Sequence, residues 1–194
     1  MIKTLIIDDE QPAREFLEKL LNRYVPNKFV VVHKVGNIEQ GFEQIKLQKP
    51  HLVFLDIKMQ GGSGFELLKK INSIDFEVIF TTAYSEFALE AIKQSALDYL
   101  LKPINHIDLG TAIKKFEKKT KYQNELDRIK KSSIFAKKLG IEVHAGHGLD
   151  YKTTKILNKI REIEEFNIGH YIIGESVFFG LSKVIKNFKR IINK

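Results

Sequence analysis

Cysteine is absent from all 194 residues, which excludes disulfides, thiolate metal ligation and thiol nucleophiles together, and agrees with a reducing compartment. Long apolar runs are absent too, since none approaches the roughly 20 residues that a bilayer-crossing helix needs. The opening MIKTLIIDDE places carboxylates where a signal peptide would continue its apolar region. A cytoplasmic protein that does not engage a membrane is expected. No segment is low in complexity, and no helix-turn-helix or β-ribbon signal occurs, so no motif supports nucleic-acid binding. What is present is the composition of a folded chain: 43% hydrophobic residues are enough for one domain of ordinary size and a smaller appendage.

The net charge of +8 is unevenly distributed. Residues through Ile113 sum to −2, and Lys114 to Lys194 to +10. A basic tail can meet phosphate, DNA or an acidic partner. Its lysines are scattered, without interleaved exposed aromatics, and solvated lysines on helix faces account for them equally well.

The first half alternates short β-rich runs with segments of helical period, the pattern of a parallel sheet covered by helices on both faces. Strands are predicted near Thr4–Ile7, Phe29–Val35, Leu52–Leu55, Val78–Thr81 and Tyr99–Leu101. Helices are predicted over Pro12–Tyr24, Ile38–Lys49, Gly64–Ile74, Glu86–Gln94 and from Ile107 onward. Five βα units in this order make a doubly wound, five-stranded α/β domain of the flavodoxin-like kind, with ligands expected at the carboxyl ends of the strands. The helical signal after Ile107 is too long for one covering helix unless it extends outward or breaks. The expected division is a domain over 1–121, a helical linker over 122–132 and a second part over 133–194. In that second part, strands are predicted at Ile141–His144 and Phe166–Ile173, and helices at Thr153–Ile163 and Ser176–Ile192.

Chemistry concentrates at the strand ends of the first part. Asp8, Asp9 and Glu10 follow the first strand, Asp56 ends the third, Thr82 the fourth, and Lys102 with Pro103 the fifth. Carboxylates gathered at one point repel one another and call for a cation, and oxygen donors of this type suit Mg²⁺. Such a metal neutralises charge on a phosphoryl group while an aspartate oxygen attacks in line. Lys102 supplies a second positive charge, able to pair with Asp56 and then with the phosphoryl group. Thr82 can donate a hydroxyl hydrogen bond. Singly each signal is weak, since acids after strands also cap helices and Lys-Pro is also a turn. Together, at four strand ends, they point to one site.

The segments LIIDDE, VFLDIKMQGGSGFELL, VIFTTAYSEFALEAI and ALDYLLKPI resemble the bacterial response-regulator receiver family over about 120 residues. The resemblance implies that Asp56 is the phosphoacceptor and that a histidine kinase is the donor in a two-component phosphorelay. It implies that Asp9, Asp56 and the main-chain carbonyl of Lys58 bind Mg²⁺, with Asp8 acting through water. It also implies that Thr82 and Lys102 contact the phosphoryl group, that Lys102–Pro103 is cis, and that Tyr99 is a switch aromatic following Thr82. Tyr99 reads equally as a half-buried strand aromatic. The expected output is a conformational switch on the face of Glu86–Gln94, Tyr99–Leu101 and the last helix, a face that also suits a homodimer. TAYSEFALEAIKQSALDYLLKP is similar to regulators carrying a LytTR-type DNA-binding output. That output needs roughly a hundred β-rich residues, and about sixty of βα character follow here.

Those residues instead contain FAKKLGIEVHAGHGLDY and EEFNIGHYIIGESVFFGL, which look like the carboxyl-terminal end of pyridoxine 5′-phosphate synthase, a (β/α)8 barrel enzyme. The resemblance implies His147 as a proton donor, Gly148 as a substrate contact, and Gly169 with His170 as contacts to a phosphorylated ligand. The glycines also fit tight turns, and the histidines caps or surface positions. The tail holds the final two βα units of such a barrel, so synthase activity is not expected of the chain alone. Ile172, Val177, Phe178, Phe179, Leu181, Ile185 and Phe188 need cover, and an apolar tail left open promotes dimers.

Overall fold

The structure, a computed structural model, describes residues 1–193. It divides into two compact units, Met1–Thr120 and Lys121–Lys194 as bounded by their internal contacts.

The first unit is built on five parallel strands in the order β2-β1-β3-β6-β7, where β1 is Ile2–Ile7, β2 Phe29–Val35, β3 Leu52–Asp56, β6 Glu77–Thr82 and β7 Asp98–Leu101. A two-residue hairpin, β4 Lys58–Met59 with β5 Gly62–Ser63, follows β3. The alternation of strand side chains sorts the apolar residues onto two faces. Leu5, Ile7, Val53, Leu55 and Phe80 face helices α2 (Ile38–Gln48) and α3 (Gly64–Lys69). Ile6, Phe54 and Ile79 face α1 (Gln11–Tyr24) and α5 (His106–Lys138), through Leu17, Leu21, Leu109, Ile113 and Phe116. β3 is buried at every position, which explains its unbroken apolar run LVFLD, closed by the one carboxylate. The doubly wound order expected from the sequence is present, and each strand lies within two residues of its predicted span.

Local signals fix the helix starts. Asn37 caps α2 by accepting from the Gln40 amide at 2.9 Å. Ser63 and Glu66 form a reciprocal capping box at α3. α3 and α4 (Ala88–Lys93) are shorter than predicted, ending at Lys69 and Lys93.

α5 is one 33-residue helix, so the long signal neither breaks nor stops at the first sheet. The second unit contains its last residues, β8 (His144–Gly146), α6 (Tyr151–Leu157), β9 (Glu165–Asn167), α7 (His170–Phe179) and α8 (Leu181–Ile192). β8 and β9 pair in parallel. Four predictions are corrected here, the first being the helix expected over Thr153–Ile163, which starts at Tyr151 and stops at Leu157. The strand expected at Ile141–His144 begins only at His144, and the strand expected at Phe166–Ile173 stops at Asn167, after which His170 opens a helix. The helix expected over Ser176–Ile192 is two helices, broken at Gly180, whose φ of +80° favours glycine. The small core of this unit includes Leu149, Ile160, Val184 and Phe188. Phe188 packs on Tyr151 and Tyr171, with ring centroids 4.5 and 5.9 Å away.

Candidate functional site

At the carboxyl edge of the first sheet, Asp8 and Asp9 follow β1, Asp56 closes β3, and Lys102 follows β7. The order β1-β3-β6-β7 makes these strand ends neighbours, so residues nearly 100 positions apart converge. The Lys102 ammonium lies 2.7 Å from Asp56 Oδ2, 2.8 Å from Asp8 Oδ2 and 3.2 Å from Glu10 Oε2. Asp8, Asp9 and Asp56 each offer a carboxylate oxygen within 4.8 Å of the others. Backbone amides hold the carboxylates in place: Glu10 N–H donates to Asp8, Lys58 N–H to Asp56, and Gln60 N–H to Asp9.

The Lys102–Pro103 bond is cis, as the receiver resemblance implies. Gly64 opens α3 against the third strand so closely that a Cβ there would stand 2.3 Å from the Asp56 carbonyl oxygen.

Burial pushes the carboxyl groups of Asp8 and Asp56 above the usual range, and the hydrogen bonds and charge of Lys102 offset only part of this. Burial pushes Lys102 down, but its hydrogen bonds to Asp56 and Asp8 and their charges win, and the ammonium is held charged. One lysine thus neutralises part of a trio of carboxylates, and the remaining oxygen-rich, negative cluster fits a hard divalent cation.

Thr82 ends β6 fully buried, its hydroxyl oxygen accepting from the Tyr84 amide at 3.4 Å. Tyr99 points its hydroxyl to the Tyr84 carbonyl. The cavity over the cluster, about 570 Å³, is lined by Asp9, Asp56, Lys58, Gln60, Tyr84 and Lys102 among others. The Lys58 ammonium lies over the Tyr84 ring, 3.9 Å from its centroid. Sequence reasoning missed the Gln60 amide and the Tyr84 ring. The first is a main-chain donor that no side chain announces, and the second an exposed loop aromatic. Glu10 was visible beside the acidic pair, but its bond to Lys102 was not.

In the second unit, His147, Gly148, Gly169 and His170 line one cavity of about 620 Å³ beyond β8 and β9, together with Asn167 and Tyr171. His147 and Gly148 both have φ of +68°, so the loop turns back sharply after β8. The four residues singled out in the tail are therefore brought together.

A flavodoxin-like parallel sheet with an acid and lysine pocket at its carboxyl edge defines a doubly wound α/β domain of the kind found in signalling receivers, with its ligand site at the strand ends. The chain belongs to the response regulator receiver domain family, whose model matches residues 4–114, and to the family of the pyridoxal phosphate biosynthesis protein PdxJ, whose model matches residues 69–194. The two matches overlap over residues 69–114, which the structure places in the first sheet and its helices.

The sensory transduction protein LytT of Bacillus subtilis is 38% identical over 120 residues, 61% of this chain and 49% of that protein. The pyridoxine 5′-phosphate synthase of Pelagibacter ubique is 68% identical over 73 residues, 38% of this chain and 30% of the enzyme. The chain thus spans about half of that regulator and under a third of that synthase. Among solved structures, the response regulatory domain of protein mrkE from Klebsiella pneumoniae superposes with a TM-score of 0.54 at 26% identity, covering 64% of this chain and 99% of that domain. Among the described residues no helix is long and apolar enough to cross a membrane.

Proposed function

We propose that residues 1–121 act as the receiver of a two-component phosphorelay in the cytoplasm, accepting a phosphoryl group from a histidine kinase on Asp56. The carrying observation is the Lys102 ammonium within 2.8 Å of both Asp56 and Asp8, beside carboxylate oxygens that converge within 4.8 Å. Asp9, Asp56 and the main-chain carbonyl of Lys58 are the groups to hold Mg²⁺, with Asp8 acting through water. Held there, such an ion would neutralise charge on the transferring oxygens. An Asp56 carboxylate oxygen attacks the phosphorus in line, the P–N bond of the phosphohistidine breaks, and its electron pair returns to the imidazole. Lys102 exchanges its carboxylate partner for the new phosphoryl oxygen, and Thr82 supplies a hydroxyl hydrogen bond. Tyr99 and the Thr82–Tyr84 segment carry the change to α4, β7 and α5, where exposed Leu89, Ile92, Leu101 and Ile107 offer a dimer face.

The test is labelling from a phosphoramidate donor with Mg²⁺. Wild type incorporates label and Asp56→Asn does not; undiminished labelling of the variant overturns the assignment.

A second reading applies to residues 133–194, with 122–132 as a helical linker. The convergence of His147, Gly148, Gly169 and His170 on one cavity supports a retained site for a phosphorylated ligand, in which His147 is the proton donor that the synthase resemblance implies. Saturable binding of a sugar phosphate, lost in His170→Ala, is expected. Equal binding by the variant counts against it.

A further inference from the structure

The second unit leaves two kinds of surface unfinished. The first is α7, which reads HYIIGESVFF and buries none of its residues. Ile173, Val177 and Phe178 are 65, 78 and 80% exposed, and Phe179 is exposed beside them. The second is the β8–β9 pair. Parallel strands occur in layered folds whose sheet is covered on both faces, and two-stranded sheets are marginal alone. Here each strand has three residues, both outer edges are unpaired among the described residues, and the end residues of each strand face solvent.

What would complete such a unit must bring parallel strands to an edge of the β8–β9 pair and an apolar layer to α7. A second copy of the chain supplies this poorly. A two-fold contact between like edges sets the strands antiparallel, and each copy brings only the same two short strands. A different source is visible in the synthase relative, which shares 73 residues at 68% identity and has 70% of its length beyond that stretch. In that relative the matched segment is continuous with further chain, and residues outside the match are available to cover it.

We propose that α7 and the open edges of β8 and β9 form a docking surface for the part of a pyridoxine 5′-phosphate synthase chain that lies outside the matched 73 residues. The attachment combines added parallel strands with burial of Ile173, Val177 and Phe178. It does not depend on phosphorylation of Asp56.

The test is co-expression of the full chain with the Pelagibacter ubique synthase lacking its matched 73 residues and bearing an affinity tag. Equimolar co-purification is expected, with amide exchange across α7, β8 and β9 slowed by about tenfold or more. Val177→Glu and Phe178→Glu, at exposed positions that the chain's own core does not use, are expected to abolish co-purification while leaving circular dichroism unchanged. The proposal is overturned if the truncated synthase stays insoluble or elutes alone beside the wild-type chain, or if co-purification survives both substitutions. A dimer of this chain alone that protects the same amides also overturns it. Asp56→Asn should associate as wild type does, so this outcome is independent of the labelling experiment.

Discussion

At the scale of single residues, the acidic pocket is a conflict that a cation relieves. Asp8, Asp56 and Glu10 share one lysine, Asp9 stands beside them, and Asp8 and Asp56 are buried. In the metal-free protein, Asp8→Asn removes a buried negative charge yet leaves Asp56 and Glu10 to hold Lys102. It should therefore raise the unfolding free energy of the first unit by about 1 kcal/mol, the scale of a relieved buried polar conflict. The same variant should gain less stability from added Mg²⁺ than wild type, as read from paired thermal melts with and without the ion. A lower melting point without Mg²⁺ would show that Asp8 is needed to hold Lys102. Thr154 offers a second residue-scale case. Its hydroxyl is the one buried side-chain polar atom without a hydrogen-bond partner among the described residues. Thr154→Val removes that group at nearly constant volume and should leave the second unit as stable or more so, by about 1 kcal/mol, in denaturant melts.

At the scale of elements, what could be read from the sequence depended on whether an element carries a period or a punctuation mark. Four of the five strands of the first sheet are short apolar runs that end in, or are followed at once by, Asp, Thr or Lys, so both the elements and their functional ends were legible. The Asn37 and Ser63 caps mark their helices in the same way. α7 carries no such mark. Ile172, Ile173 and Val177 are β-branched, and its apolar residues surround the helix instead of forming a stripe, so neither period nor propensity separates it from a buried strand. Gly180 then breaks what reads as one helix into two. α6, by contrast, has a strong start: Asp150 accepts from the Thr153 amide at 2.6 Å, and the Thr153 hydroxyl accepts from the Asp150 amide at 2.8 Å. Backbone and side-chain hydrogen bonds from Thr153 hold the Asp150 carboxyl below the usual range. The stability it lends is therefore present above the unfolded-state value near 3.8 and is lost as pH falls through the lower folded value. Asp150→Ala should cost about 1 kcal/mol at neutral pH. The difference from wild type should shrink in melts below pH 3.8, and a pH-independent difference would assign the cost to packing.

At the scale of the whole molecule, the first unit has two apolar layers around one sheet, whereas the second has a small core around Val184 and Phe188. The acidic trio lies wholly in the first unit, and no comparable cluster occurs elsewhere among the described residues. A ligand that binds one folded unit stabilises that unit by an amount set by its concentration relative to its dissociation constant, about 2.7 kcal/mol at a hundredfold excess. Calorimetry should therefore resolve two unfolding transitions, and Mg²⁺ should raise only the one belonging to residues 1–120. α5 tests the separation sharply, because its 33 residues begin in one unit and end in the other. If its helix transmitted cooperativity, the two transitions would merge or move together with Mg²⁺. If the two cores melt independently, α5 frays at the end whose core has gone, and amide exchange along it should step between two protection levels near residue 120. Uniform protection along α5, with a single Mg²⁺-sensitive transition, would show that the helix joins both cores into one folding unit.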